Sequence, residues 1–186
     1  MARKLHIGGI GGGDVISEEW EILNVNPGPY VDHVCNANDL SQFADHSFAE
    51  IYASHILEHF DYQDELAQVL SEWHRVLEPE GKIFISVPDL DILAELLLAK
   101  DQLTVAERYR VMRMIFGGHV DKSDYHITGL NEDFLRQFLR EAGFVNITRV
   151  KELGLFYDTS CMKFKGVLIS LNMIAEKALY TASTVI

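Results

Sequence analysis

The run Gly8-Gly9-Ile10-Gly11-Gly12-Gly13, behind the apolar Leu5-His6-Ile7, is the first part of the chain whose residue types suggest chemistry. A ligand can approach main chain closely only where no Cβ intrudes, and glycine also reaches positive φ. Gly9-x-Gly11-x-Gly13 behind a strand therefore suits a nucleotide or nucleoside. Asn26, after a second apolar run at 20–25, stands where dinucleotide-binding sheets place an acidic residue for ribose hydroxyls. Its amide can still bond a hydroxyl through both its groups, without the assistance of a charge. A plain turn residue ahead of Pro27 is the other reading of it.

Two further clusters carry histidine. The polar stretch Gly117-Gly118-His119-Val120-Asp121-Lys122-Ser123-Asp124-Tyr125-His126 lies between helical patterns. His126 or His119 could take the proton of an acceptor hydroxyl, since imidazole titrates near neutrality; a solvated loop is the bland alternative. His55-x-x-Glu58-His59 matches, as a bare pattern, an inverted zinc-protease motif. That chemistry needs both histidines on one helix face and a third ligand downstream, whereas this segment follows a strand, so no metal is expected.

These residues need a scaffold, and the hydrophobic pattern supplies one. Strands are predicted at 5–7, 20–25, 31–34, 49–54, 82–87 and 145–150, with a last strand within 162–175 that is clearest at 167–172. Helices are predicted at 62–77, where Leu66, Val69, Leu70, Trp73 and Leu77 share a face, and at 91–100, 104–116 and 131–141. Strands alternating with helices imply βαβ units with right-handed crossovers, hence an α/β fold with a doubly wound, mostly parallel sheet and helices on both faces. In such sheets ligands bind outside the carboxyl ends of the strands, so the working loops are those after residues 7, 25, 54 and 87 and around 36–40.

The 186 residues suit a single domain (1–186), and 48% hydrophobic with 24% charged residues is ordinary for a globular chain. A formal net charge of −12 repels nucleic acid and anionic membrane surfaces alike, and three arginines near 108–113 read as a solvated helix face. Cys35 and Cys161 lie far apart with no C-x-x-C spacing, which fits reduced thiols. With no signal-peptide pattern and no apolar run long enough to span a bilayer, a cytoplasmic location is expected. Leu96-Leu97-Leu98 and the apolar C-terminal strand could pair subunits in a homodimer.

At this point the chain resembles the class I S-adenosylmethionine-dependent methyltransferases, nearest to small bacterial ones associated with surface-glycan pathways. The matching segments are Leu5-His6-Ile7-Gly8-Gly9, Leu23-Asn24-Val25-Asn26, Asn36-Ala37-Asn38-Asp39-Leu40 and Glu141-Ala142-Gly143-Phe144. The most specific is Ser47-Phe48-Ala49-Glu50-Ile51-Tyr52-Ala53-Ser54-His55-Ile56-Leu57-Glu58-His59-Phe60, followed by a helix and Arg75-Val76-Leu77-Glu78-Pro79-Glu80-Gly81. The resemblance implies a seven-stranded Rossmann-like methyltransferase fold, with a cofactor half at about 1–90 and a substrate half at about 91–186. It implies S-adenosylmethionine as cofactor, with Gly8, Gly9 and Gly11 under its methionine part and Asn26 on the ribose. Asn38, Asp39 and Leu40 would lie beside the adenine, and Ser54 and His55 would form the wall beneath. The implied activity is methyl transfer to a small-molecule or glycan hydroxyl or amine. His6, Asn26 and Asn36 stand where many relatives carry acidic residues, which leaves a methyltransferase-like binding or scaffold protein without activity as the alternative. A nicotinamide dehydrogenase would require a second substrate domain and a G-x-G-x-x-G turn opening into a helix, which Gly8 to Gly13 match poorly.

Overall fold

The computed structural model describes residues 2–9, 20–120, 122 and 124–179. Seven strands form one sheet: β1 (Lys4–Ile7), β2 (Trp20–Asn24), β3 (His33–Val34), β4 (Phe48–Ser54), β5 (Leu77–Pro88), β6 (Phe144–Val150) and β9 (Ser170–Lys177). Their order is β3-β2-β1-β4-β5-β9-β6. β1 to β5 run parallel, and β9 is antiparallel to both β5 and β6. The strand order reverses between β1 and β4, and that switch leaves a crevice at their carboxyl ends.

Among the described residues, four helices lie between these strands: α1 (Glu65–Val76), α2 (Leu90–Leu98), α3 (Val105–Phe116) and α4 (Glu132–Glu141). The apolar stripe of α1, with Leu66, Val69, Leu70 and Trp73 all fully buried, packs on Leu5, Ile7, Ile51, Ile83 and Ile85 of the sheet. Leu135 and Leu139 of α4 join the same core. On the other face, Trp20, Ile22 and Tyr52 are covered by Phe156, with Leu153 and Leu155 beside it. A third cluster, Leu93, Leu103, Val111 and Ile169, joins α2 and α3 beyond the end of β5.

The helix starts follow from their sequences. Thr104 and Glu107 form a capping box on α3, and Asn131 accepts from the Phe134 amide at the start of α4. The α1 end is unusual, because β5 begins at Leu77 rather than at residue 82. Glu78-Pro79-Glu80-Gly81 is absorbed as an irregularity in the β4–β5 ladder, where a Cβ on Gly81 would lie 2.9 Å from the Ala49 carbonyl. Turn residues expected to separate helix from strand thus bend a strand already under way.

The C-terminal region also differs from expectation. The clear apolar run at 167–172 contains β8 (Val167–Leu168), which pairs with β7 (Lys163–Phe164) in a separate hairpin, and only then enters β9. β9 is paired on both sides and so offers no free edge to a second copy. Of the three leucines at 96–98, Leu96 and Leu97 pack against the α2–α3 cluster and Leu98 is exposed.

Candidate functional site

A cleft of about 390 Å³ lies at the carboxyl ends of β1 and β2, inside the size range of small-molecule sites. One wall is Gly8 with Leu23 to Asn26, another is Asn36 and Ala37, and the inner wall is Ile56, His59 and Phe60. Lys122, Tyr125 and Ile127 close the open side.

The β1 turn is held by hydrogen bonds. Gly8 has φ +84, its amide donates to the Leu23 carbonyl at 2.8 Å, and a Cβ there would collide with Ile56. Asn24, the last residue of β2, donates to the Gly9 carbonyl at 3.0 Å and accepts from the Asn26 amide at 2.8 Å. Its amide is therefore spent on the turn, while Asn26 is left to line the cleft. Gly9 is buried beneath His6, whose ring would lie 2.8 Å from an added Cβ. Gly11 lies outside the described residues.

The second wall hangs from α1. Trp73 donates from Nε1 to the Ala37 carbonyl at 2.8 Å. Arg75 donates to the carbonyls of Leu40 at 3.1 Å and Phe43 at 2.9 Å, and to the carboxylates of Glu72 and Asp45. Trp73 is expected from its spacing only as part of the apolar helix face, and Arg75 carries no expected role beyond lying in the most specific matching segment. The signal available was a buried tryptophan and a forked cation just ahead of the β5 strand.

Several predicted residues take other positions. Leu40 is fully buried in the main core rather than beside the cleft. Asp39 accepts from the Ser41 amide at 3.2 Å, and Asn38 is exposed outside the cleft lining. Ser54 and His55 bond away from the cleft: Ser54 bonds Thr159 at 3.2 Å and His55 Nε2 meets Ser170 Oγ, at the start of β9, at 3.0 Å. In both cases the carbon framework of Ile56 and Phe60, not the polar pair before them, forms the cleft wall. His119 directs Nε2 to the Phe116 carbonyl at 2.8 Å and stacks on Tyr125. His126 bonds the Met114 carbonyl through Nδ1 and faces inward through Nε2. The histidine that lines the cleft is His59.

Behind His59 lies a buried carboxylate. Glu58 is 1% exposed, and neither of its side-chain oxygens has a hydrogen-bond partner. His55 Nδ1 approaches it at 3.4 Å and His126 Nε2 at 3.9 Å. Burial pushes the Glu58 carboxyl up to about 8 and the His55 imidazole down to about 4. Burial first, then the neighbouring His59, holds His126 below its ordinary value. His55 sits at φ +56, a left-handed conformation costly for a residue with a Cβ. The Glu58 carbonyl accepts from the amides of Ile127 and Thr128 at 2.8 and 3.0 Å, so the two histidine-bearing segments are laced together.

A larger depression of about 900 Å³ runs along residues 152–163, but a single segment forms it and its polar groups serve one another. Tyr52 donates to Asp158 at 2.8 Å, Ser160 donates its amide to Asp158 at 2.8 Å, and Asn172 donates to the Ser160 carbonyl at 3.0 Å.

A methyltransferase-domain family model matches residues 18–85. No curated protein matches the sequence. Among solved structures, a carbon methyltransferase called CurJ is 18% identical with a TM-score of 0.58, the match covering 95% of this chain and 48% of that one. An S-adenosylmethionine-dependent methyltransferase from Methanosarcina mazei is 14% identical with a TM-score of 0.59, covering 96% of this chain and 93% of its own. The 1,6-didemethyltoxoflavin N1-methyltransferase of Burkholderia thailandensis, solved with its substrate and S-adenosylhomocysteine, is 17% identical with a TM-score of 0.56. The match covers 95% of this chain and 72% of that enzyme. The chain thus spans about half the length of the first of these. At such identities the likeness is one of fold, and the fold is the Rossmann-like methyltransferase fold. What these comparisons establish is that fold, with a methyltransferase-domain match over residues 18–85.

Proposed function

We propose that the chain transfers a methyl group from S-adenosylmethionine to a hydroxyl or amine of a small-molecule or glycan acceptor. The observation that carries this is the cleft at the sheet's switch point, of cofactor size and bounded by Gly8, Asn26 and the Asn36–Ala37 wall. In this reading the Gly8 turn underlies the methionine part, Asn26 bonds the ribose, and Asn36 with Ala37 borders the adenine. The acceptor enters past Tyr125 and Ile127.

The sulfonium already activates the methyl group, so the cofactor supplies the hard chemistry. The protein's task is to hold the acceptor nucleophile in line with the methyl carbon and keep water out. Tyr125 and Ile127, about half exposed at the cleft mouth, suit that task. In this reading His119 and His126 brace the chain after α3, because His119 Nε2 and His126 Nδ1 are directed to the carbonyls of Phe116 and Met114.

A second reading has one observation in its favour: among the described residues lining the cleft there is no carboxylate to meet the ribose or the cationic cofactor. It predicts binding without turnover. Incubation with methyl-labelled S-adenosylmethionine and a panel of sugars, hydroxy acids and amines separates the two. Label in a product, with one S-adenosylhomocysteine formed per methyl moved, supports the enzyme. Cofactor bound but unconsumed across the panel favours the scaffold.

A further inference from the structure

We propose that Glu58, His59 and His126 form a binding site for one divalent transition-metal ion of the zinc type, at the inner wall of the cleft. Their ligand atoms all lie within 4.8 Å of one another. Hydrogen bonding fixes what each group offers. A backbone carbonyl can only accept, so His126 must donate from Nδ1 to Met114, at 3.0 Å, leaving a lone pair on Nε2. By the same argument His59 donates from Nδ1 to the Tyr125 carbonyl at 3.0 Å and keeps its lone pair on Nε2. Ser170 spends its hydroxyl proton on the Thr159 carbonyl at 2.8 Å, so His55 must donate to it from Nε2, and its lone pair on Nδ1 faces Glu58.

The result is a buried carboxyl group facing imidazole lone pairs, and a metal ion bound there would take the place of its proton. Acceptors brought together away from water need a positive centre between them. Histidines whose second nitrogen is tied to a backbone carbonyl are also the usual form of metal-ligating histidine, because the tie fixes tautomer and ring orientation. Two imidazoles and one carboxylate suit zinc, cobalt or iron rather than magnesium or calcium, which prefer oxygen. Metal bonds of about 2.1 Å set tetrahedral ligand atoms about 3.4 Å apart, and His126 Nε2 is already 3.9 Å from Glu58. The third ligand that the pattern at 55–59 lacks in sequence comes from the segment after α3. Because His59 borders the cleft, a further coordination position would open toward it.

The site stands apart from the methyl-transfer reading, and it is tested without cofactor. The full-length protein is stripped with a chelator and titrated with Co²⁺ alone, following visible absorption, and then with Zn²⁺ as competitor. The expected result is one Co²⁺ per chain with d–d bands, displaced by Zn²⁺, and affinity reduced about 100-fold or more in Glu58→Gln and in His126→Ala. His119→Ala binds as the parent does. Circular dichroism checks each variant's fold, and His59→Ala replaces any that fails. Absence of saturable Co²⁺ binding by the folded parent overturns the proposal. So does binding that survives Glu58→Gln or His126→Ala, since that would place the metal on surface histidines.

Discussion

At the residue scale, the cleft's character is set by amides where charge would serve better. Asn26 lines the cleft, where the proposed ribose would lie, and can offer only neutral hydrogen bonds. Replacing it by Asp adds a charged acceptor at a surface that already accommodates the side chain. Asn26→Asp is expected to tighten S-adenosylmethionine binding roughly fivefold, a gain of about 1 kcal/mol, measured by calorimetric titration. Equal or weaker binding would show that the ribose does not reach this residue. His6 makes a different prediction. It is buried against Tyr52 and Phe156, its Nδ1 has no partner, and desolvation lowers it to about 4. The unfolded chain therefore takes up His6's proton near its ordinary value while the folded chain resists it. Stability from this group is complete above about pH 6.5 and is lost as pH falls toward 4, by about 3 kcal/mol in all. Urea denaturation across that range should show a shallower pH dependence in His6→Leu, and an unchanged dependence would contradict the assignment.

At the scale of elements, α1 organises the site without touching ligand. Arg75 gathers the Leu40 and Phe43 carbonyls, and Trp73 holds Ala37, so one helix sets the position of the second cleft wall. Arg75→Ala is expected to weaken S-adenosylmethionine binding about tenfold, and Arg75→Lys should recover little, because a point charge cannot replace the fork. Full recovery by Lys would mean that only charge matters here. The same C-terminal turn of α1 also depends on β9: Lys177 donates to the carbonyls of His74 at 2.7 Å and Leu77 at 2.8 Å, at the helix end where carbonyls lack intrahelical partners. Lys177→Met should cost about 2 kcal/mol, read as a lower urea midpoint at constant slope. Elements were also where sequence was most informative. Buried parallel strands are continuous apolar runs, and the α1 stripe repeats at helical spacing, so β1, β2, β4 and α1 could be placed from pattern alone. The split between β8 and β9 could not, because an apolar run carries no mark of which strand it pairs with.

At the scale of the whole molecule, function depends on convergence that spacing cannot reveal. The pattern at 55–59 was legible as residues but not as a site, because His126 reaches Glu58 only through the return of the chain after α3. Leu40 and His55 belong to matching segments yet face the core and the start of β9, directions that loop geometry decides and residue type does not announce. The cleft itself was legible, because the switch in strand order locates it. Its capacity to hold cofactor is the central claim. Calorimetric titration of the full-length chain with S-adenosylmethionine, beside a Gly8→Val variant whose side chain would collide with Ile56, tests it directly. One site per chain in the parent, lost or strongly weakened in Gly8→Val with the fold retained, is the predicted result. No heat from the parent at millimolar cofactor would contradict it.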